Sequence, residues 1–180
     1  MAGTWTRNWR AVRNIMLMGS HHNGLSTFTN QQGITVADRY ADHLSATTPL
    51  GIYTNDSGSD QLNRIRLGTG NTAPAVSDYN LEQEANLSYL SCAVGAPVYD
   101  DNLGTVTRTI TVSVQNTLSE SVTIREWGIF GAIRNLARSS SAIASVLLYR
   151  EVLDSPVTLG QYQAATLELT VSLTLTDPVS

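Results

Sequence analysis

Residues 106–130 read VTRTITVSVQNTLSESVTIREWGIF, and the fold class rests on this stretch. In its first limb Val106, Ile110, Val112 and Val114 share one parity, broken only by Arg108. Thr107, Thr109, Thr111, Ser113 and Gln115 share the other. A period of two marks a strand with one wet face, and β-branched side chains suit a pleated surface. After the polar residues 116–121, alternation resumes through Val122, Ile124 and Glu126 and ends in Trp127-Gly128-Ile129-Phe130. Two alternating limbs around a short polar connection predict an antiparallel hairpin, with Val112, Val114, Val122 and Ile124 facing inward.

The C-terminal region repeats the pattern. Leu167, Leu169, Val171, Leu173 and Leu175 alternate with Glu168, Thr170, Ser172, Thr174 and Thr176. A strand with one aliphatic and one polar face belongs to an antiparallel sheet open to water on one side. Further strands are expected at 50–53, 62–67, 87–94, 143–152 and 157–159. Loops are expected at 55–60, 96–104 and 131–142, and a turn at Asp154-Ser155-Pro156. Seven or eight short strands separated by turns predict an all-β fold, an antiparallel β-sandwich of Greek-key or jelly-roll type. Residues 49–180 form this domain.

Residues 1–48 read differently. Trp5, Trp9, Val12 and Met16 fall at helical spacing with Arg7, Arg10 and Arg13 between them, so a short helix over 4–18 is expected. It packs on its own domain, or it is an arm that docks on a neighbouring subunit, or its arginines form a basic strip touching nucleic acid, for which three are few. Trp5, Arg7, Trp9, Arg10 and Arg13 are the contact residues in the second case, because Trp and Arg dominate interface hot spots. Residues 26–34 read as an extended segment or loop, and 36–44 as one or two helical turns.

Composition narrows the function. Hydrophobic residues make up 42% of the 180, enough for a core, but charged residues only 14%. A typical globular protein carries about 25%. All eleven basic residues are arginine. A surface so poor in charge is weakly protected against self-association, which suits a protein that lives against copies or partners; compositional drift gives the same figure. A net charge of -4 gives no footprint for nucleic acid. One cysteine, Cys92 in an apolar run, excludes an intrachain disulfide and reads as a small buried hydrophobe. No apolar run has the length of a membrane span.

Candidate chemistry is sparse. His21-His22 lie next to each other, an arrangement that places side chains on opposite faces of a strand, so no metal site is expected there. Residues 55–60 (NDSGSD) superficially resemble a calcium loop but lack its closing glutamate. Gly68-Thr69-Gly70-Asn71-Thr72-Ala73-Pro74 matches G-x-G-x-x-A, yet Pro74 blocks the helix that a dinucleotide site needs, so the glycines are read as a tight turn at a strand end. The sequence contains no G-x-S-x-G, H-E-x-x-H or P-loop. No catalytic residue, cofactor or metal ligand is expected. Glu126 stands on an otherwise apolar parity, and an inward glutamate needs a partner; Arg150 on the next strand is the candidate for a structural ion pair.

Five motifs in order carry a resemblance. They are Gly68-Thr69-Gly70-Asn71-Thr72-Ala73-Pro74 with Asp78 and Leu81; Ile124-Arg125-Glu126-Trp127-Gly128-Ile129-Phe130; Leu147-Leu148-Tyr149-Arg150-Glu151-Val152-Leu153; Pro156-Val157-Thr158-Leu159; and the alternating strand 166–176. Over residues 62–176 this succession resembles a set of tailed-bacteriophage virion proteins. Trp127 departs from the pattern, where a smaller apolar residue is expected. The resemblance implies a non-enzymatic structural β-domain of a phage particle, on the head, neck or tail, assembled in the host cytoplasm. Its partners are then copies of itself and other virion proteins. The alternative is a receptor- or glycan-binding module of a tail fibre or baseplate, with Tyr53, Tyr99 or Tyr162 exposed in loops.

Overall fold

A computed structural model of the chain describes residues 3–9, 26–38, 65–134 and 143–174. Ten strands occur in these segments: β1 (Thr4–Trp5), β2 (Ser26–Thr29), β3 (Thr35–Asp38), β4 (Ile65–Gly68), β5 (Ser88–Val94), β6 (Val98–Asp100), β7 (Thr105–Gln115), β8 (Val122–Arg134), β9 (Ile143–Leu159) and β10 (Ala164–Thr174). The fold is all-β and antiparallel, as the alternation predicts. One sheet has the order β1-β9-β8-β4. A second has the order β10-β7-β5, with β6 also paired to β7, and β2 and β3 form a separate ribbon.

Two compact units divide the chain. The first comprises 1–85 and 122–158, the second 86–121 and 159–180. The expected division into a 1–48 arm and a 49–180 domain differs from this one. In the second unit β7 and β10 run in unbroken register from Thr105↔Thr174 to Gln115↔Ala164. Ile110, Val112, Val114, Leu167, Leu169 and Val171 are buried, and the hydroxyl residues between them face out. Cross-strand hydroxyl contacts, Ser113 with Thr166 at 2.8 Å and Thr107 with Ser172 at 3.0 Å, fix the register on the wet face.

The expected hairpin is not formed. β7 pairs with β10, β5 and β6, whereas β8 pairs with β9 and β4, so residues 116–121 carry the chain from one sheet to the other. The cause is Asn116, which is fully buried. Its side-chain amide donates to the carbonyls of Glu120, Leu159 and Gly160 at 2.7–3.1 Å, and its Oδ1 accepts from the Leu118 N–H. An asparagine that ties its own connection to 159–160 places β10, not β8, beside β7. Of the run β7–β10, the last strand thus lies beside the first, while β8 and β9 pair in the other sheet.

Other expectations differ locally. The turn at Asp154-Ser155-Pro156 is absent, because β9 runs unbroken through it. β1 covers β9 only at Tyr149 and Arg150, so the exposed Pro156 has no described ladder partner on that side to deprive of a donor. Over 36–38 the expected helical turns are replaced by β3, paired to β2 around a turn in which Asn30 Oδ1 accepts from Gln32 and Ile34 and Gly33 takes φ +75°, and 39–44 lie outside the described residues. β6 interrupts the loop expected at 96–104, and β8 continues to Arg134. The strand at 50–53, the loop 55–60 and the three histidines lie outside the described residues.

Candidate functional site

The first unit is built around β8. Glu126, Trp127, Ile129 and Phe130 are each at most 1% exposed. Successive strand residues point to opposite faces, so both faces of β8 are covered here. Leu81, Phe130 and Leu147 form one apolar cluster. Trp127 meets Tyr149 at a tilt of 54° (ring centroids 5.2 Å), Tyr149 meets Trp5 edge-on (4.9 Å), and the ring centroids of Trp5 and Trp9 lie 4.7 Å apart. The unexpected size of Trp127 is therefore matched by aromatic residues from β9 and the N-terminal segment.

Glu126 is completely buried and its carboxylate is saturated. Oε1 accepts from the N–H groups of Gly70 (3.1 Å) and Gln83 (2.9 Å). Oε2 accepts from the Glu82 N–H (3.2 Å) and from Arg150 Nε (2.7 Å). Arg150 is equally committed. Its second nitrogen donates to Asp78 Oδ2 at 2.8 Å, its third to the Thr72 carbonyl at 3.2 Å, and Glu82 Oε2 lies 3.6 Å away. Burial works against the guanidinium charge, but the hydrogen bonds to Asp78 and Glu126 outweigh it and raise the Arg150 pKa. Glu82 then closes the loop onto itself: its Oε2 accepts from the Asn71 and Thr72 N–H groups at 2.8 Å and the Thr72 hydroxyl at 2.5 Å. The Thr72 hydroxyl, followed by the N–H bonds, holds the Glu82 carboxyl below the usual range.

Residues 69–85 therefore form a strap clasped over the Glu126–Arg150 pair. Asp78 Oδ2 also caps the turn by accepting from the Ala75 N–H at 2.9 Å. The strap returns to β4 through a bridge between Gly68 and Glu84 and through the Ala85 N–H donating to the Leu67 carbonyl. The glycines serve close approach here, not a left-handed turn: neither Gly68 nor Gly70 has positive φ. A Cβ on Gly68 would stand 2.5 Å from Glu126 Oε1 and 2.6 Å from the Gln83 carbonyl, and one on Gly70 would meet Glu126 and Glu82. No protein-family model, curated protein or solved structure matches the chain.

The residues of the expected arm are placed as follows. Trp5 lies in β1, paired to Tyr149, and is half-buried; Arg7 is exposed; Trp9 is 6% exposed. Helical geometry occurs at 7–9, while Thr4–Trp5 is strand where helix is expected. Buried Thr6 donates from its hydroxyl to Leu147 O (2.6 Å), and buried Asn8 donates to Leu147 O and Thr29 O. Residues 4–9 are thus fastened to the chain's own sheet. Arg10 and Arg13 lie outside the described residues.

Several working residues escape the sequence reading: Glu82, Thr72, Asn116, Thr6 and Asn8. A saturated inward glutamate requires several N–H donors, and a glycine-rich run before it in the chain was the available pointer. Cys92 is half-buried rather than enclosed, and burial raises its thiol pKa. Tyr149 donates to Glu151 at 2.7 Å, and burial together with that carboxylate pushes its phenol far above the usual value. Among the described residues no group of three or more His, Cys, Asp or Glu could hold a metal ion. No helix of the described residues is long and apolar enough to cross a membrane.

Proposed function

We propose that the chain is a non-enzymatic structural component of a tailed-bacteriophage particle, assembled as a homo-oligomer on the head, neck or tail. The observation that carries this reading is the use of the motif residues. Gly70, Thr72, Asp78, Glu126 and Arg150, positions behind the resemblance, converge on one internal fastening, and a Cβ on Gly68 would collide with Glu126. Buried carboxylate oxygens satisfied by the chain's own donors rigidify a scaffold; they are not presented to a substrate. The charge-poor composition supports the same reading, since a subunit held among partners has little need of a repulsive surface.

Glycan binding in a tail fibre or baseplate is the second reading. It is favoured by Tyr99 and Tyr162, which stand 66% and 65% exposed. The test is co-sedimentation of the purified chain with phage heads and with phage tails, beside a glycan-binding screen and a cell-wall hydrolysis assay. Binding to one class of particle with no glycan retention and no hydrolysis is the expected result. Glycan retention without particle binding would transfer the assignment to the second reading, and hydrolysis would refute both.

A further inference from the structure

Arg108 is the residue that breaks the apolar parity of β7, and the fastening around Glu126 makes no use of it. Residues opposite each other in an antiparallel ladder share a face. The registers of β7 with β10, β5 and β6 therefore put Arg108 on the face that carries Ile110, Val112 and Val114, on the central strand of the sheet. Its opposite number on β10 is Val171. Two residues towards the turn, Val106 lies between Leu173 and Tyr99. Arg108 is the one charged residue among the paired positions of this face.

The cover on this face ends at the same place. Ile110, Val112 and Val114 are enclosed, Val106 and Leu173 are half-buried, and Arg108 is exposed. Tyr99 and, in the turn beyond it, Leu103 stand 66% and 68% exposed. That turn is held in shape: Asp100 Oδ1 accepts from the Asn102 and Leu103 N–H groups at 3.0 and 3.1 Å, and Gly104 takes φ +57°. Scattered apolar residues on a surface need no explanation, but these lie together at one fixed hairpin. Two charges flank them, Arg108 and the exposed Asp101, and neither has a hydrogen bond or an ion pair among the described residues.

We infer that this end of the sheet packs face to face on the same surface of a second copy of this chain, strands antiparallel, with Arg108 of each copy paired to Asp101 of the other. The inference rests on the self-association part of the reading above and names its surface. Asp101 follows Asp100, which is opposite Thr105, so along the strands Asp101 lies as far to one side of Val106 as Arg108 lies to the other. A two-fold axis running across the strands at Val106 therefore brings each arginine to the aspartate of the other copy. It also sets Val106, Leu173 and Tyr99 against their own copies, apolar on apolar. The two arginines stand on the order of 14 Å apart along the strands, beyond the screening length of about 8 Å at physiological salt. An arginine suits such a place, because its stem covers apolar surface while its fork meets a carboxylate. The contact is isologous and closes at two copies.

The test is light scattering on the full chain and on charge-reversed variants at these exposed positions. The unaltered chain is expected at about twice 19.4 kDa. Arg108→Glu sets two acidic groups together, and Asp101→Arg two basic ones. Each acts twice in a two-fold contact, so each is expected to raise the dimer dissociation constant at least about a hundredfold, with unchanged strand circular dichroism. The double variant Arg108→Glu/Asp101→Arg restores the attraction with its sign reversed and is expected to dimerise again, a recovery that damage to the fold would not give. Glu168→Arg reverses an exposed charge on the wet face of β10 and stays dimeric. A dimer that survives both single variants, or a double variant as weak as the singles, overturns this contact while leaving self-association intact. An unaltered chain that is not a dimer but still co-sediments with particles overturns the contact and leaves the particle reading. One that is not a dimer and binds no particle overturns both.

Discussion

Replacing Glu126 by glutamine tests the fastening with almost no change in shape. The carboxylate accepts four donors, two on each oxygen. A glutamine amide has one oxygen, so whichever way it lies, two donors face its NH2 group. Each buried donor left without an acceptor costs about 1–3 kcal/mol. Arg150, 4% exposed, also loses its buried counter-charge, and breaking such a pair costs about 3–5 kcal/mol in total. Asp78 still holds Arg150 at 2.8 Å, which places Glu126→Gln near 3–4 kcal/mol. For a chain of this size that is a fall in Tm of roughly 6–16 °C. Arg150→Met removes only one of the four donors and leaves the carboxylate three N–H groups, so about 2–3 kcal/mol is expected. The double variant remains destabilised by at least about 2 kcal/mol, because the backbone donors of Gly70, Glu82 and Gln83 still need the carboxylate. Urea unfolding followed by circular dichroism measures all three. A single Glu126→Gln variant within about 1 kcal/mol of the unaltered chain, or a double variant restored to it, would refute the reasoning.

Three further outcomes follow from the same structure. Glu82 has its carboxyl held low by Thr72, so its contribution to stability is complete above the unfolded carboxyl pKa of about 4.3 and is lost as pH falls through the lower folded value. Glu82→Gln should therefore flatten the fall in stability on acidification below about pH 5, as read from urea midpoints; an unchanged slope would show that the clasp does not titrate. Asn116→Ala strips a donor from three carbonyls and is expected to cost about 2–3 kcal/mol, whereas Thr117→Ala next to it, at an exposed position, should change stability by less than about 0.5 kcal/mol. Tyr162 is 65% exposed and sits at φ +59°, a left-handed conformation that suits Asn or Gly; Tyr162→Asn should raise stability by about 1 kcal/mol, and a loss on thermal melting would mean the side chain does more than the turn.

Much of the first-level architecture was legible in the chain. The alternation at 106–114 and 167–173 marks strands and their wet faces, because side-chain direction in a strand depends only on parity. The same parity marks Glu126 as inward, and the electrostatic cost of an inward carboxylate points to Arg150. Neither Glu82 nor Asn116 could be found this way, since Glu82 holds the N–H groups of Asn71 and Thr72 and Asn116 the carbonyls of Leu159 and Gly160, pairings that no local period records.

Period and composition by themselves determined an all-β antiparallel chain, the faces of its longest strands, and a surface poor in charge. Only the tertiary structure decided which strands are neighbours. β7 lies beside β10 and not β8, because ladder pairing is a non-local choice and the buried amide of Asn116 ties its connection to 159–160. The same is true of residues 68–85. As a sequence they are a glycine-rich turn; folded, they are the donor set of a buried carboxylate, because N–H groups too weak to hold one singly converge on Glu126 from three points of the chain.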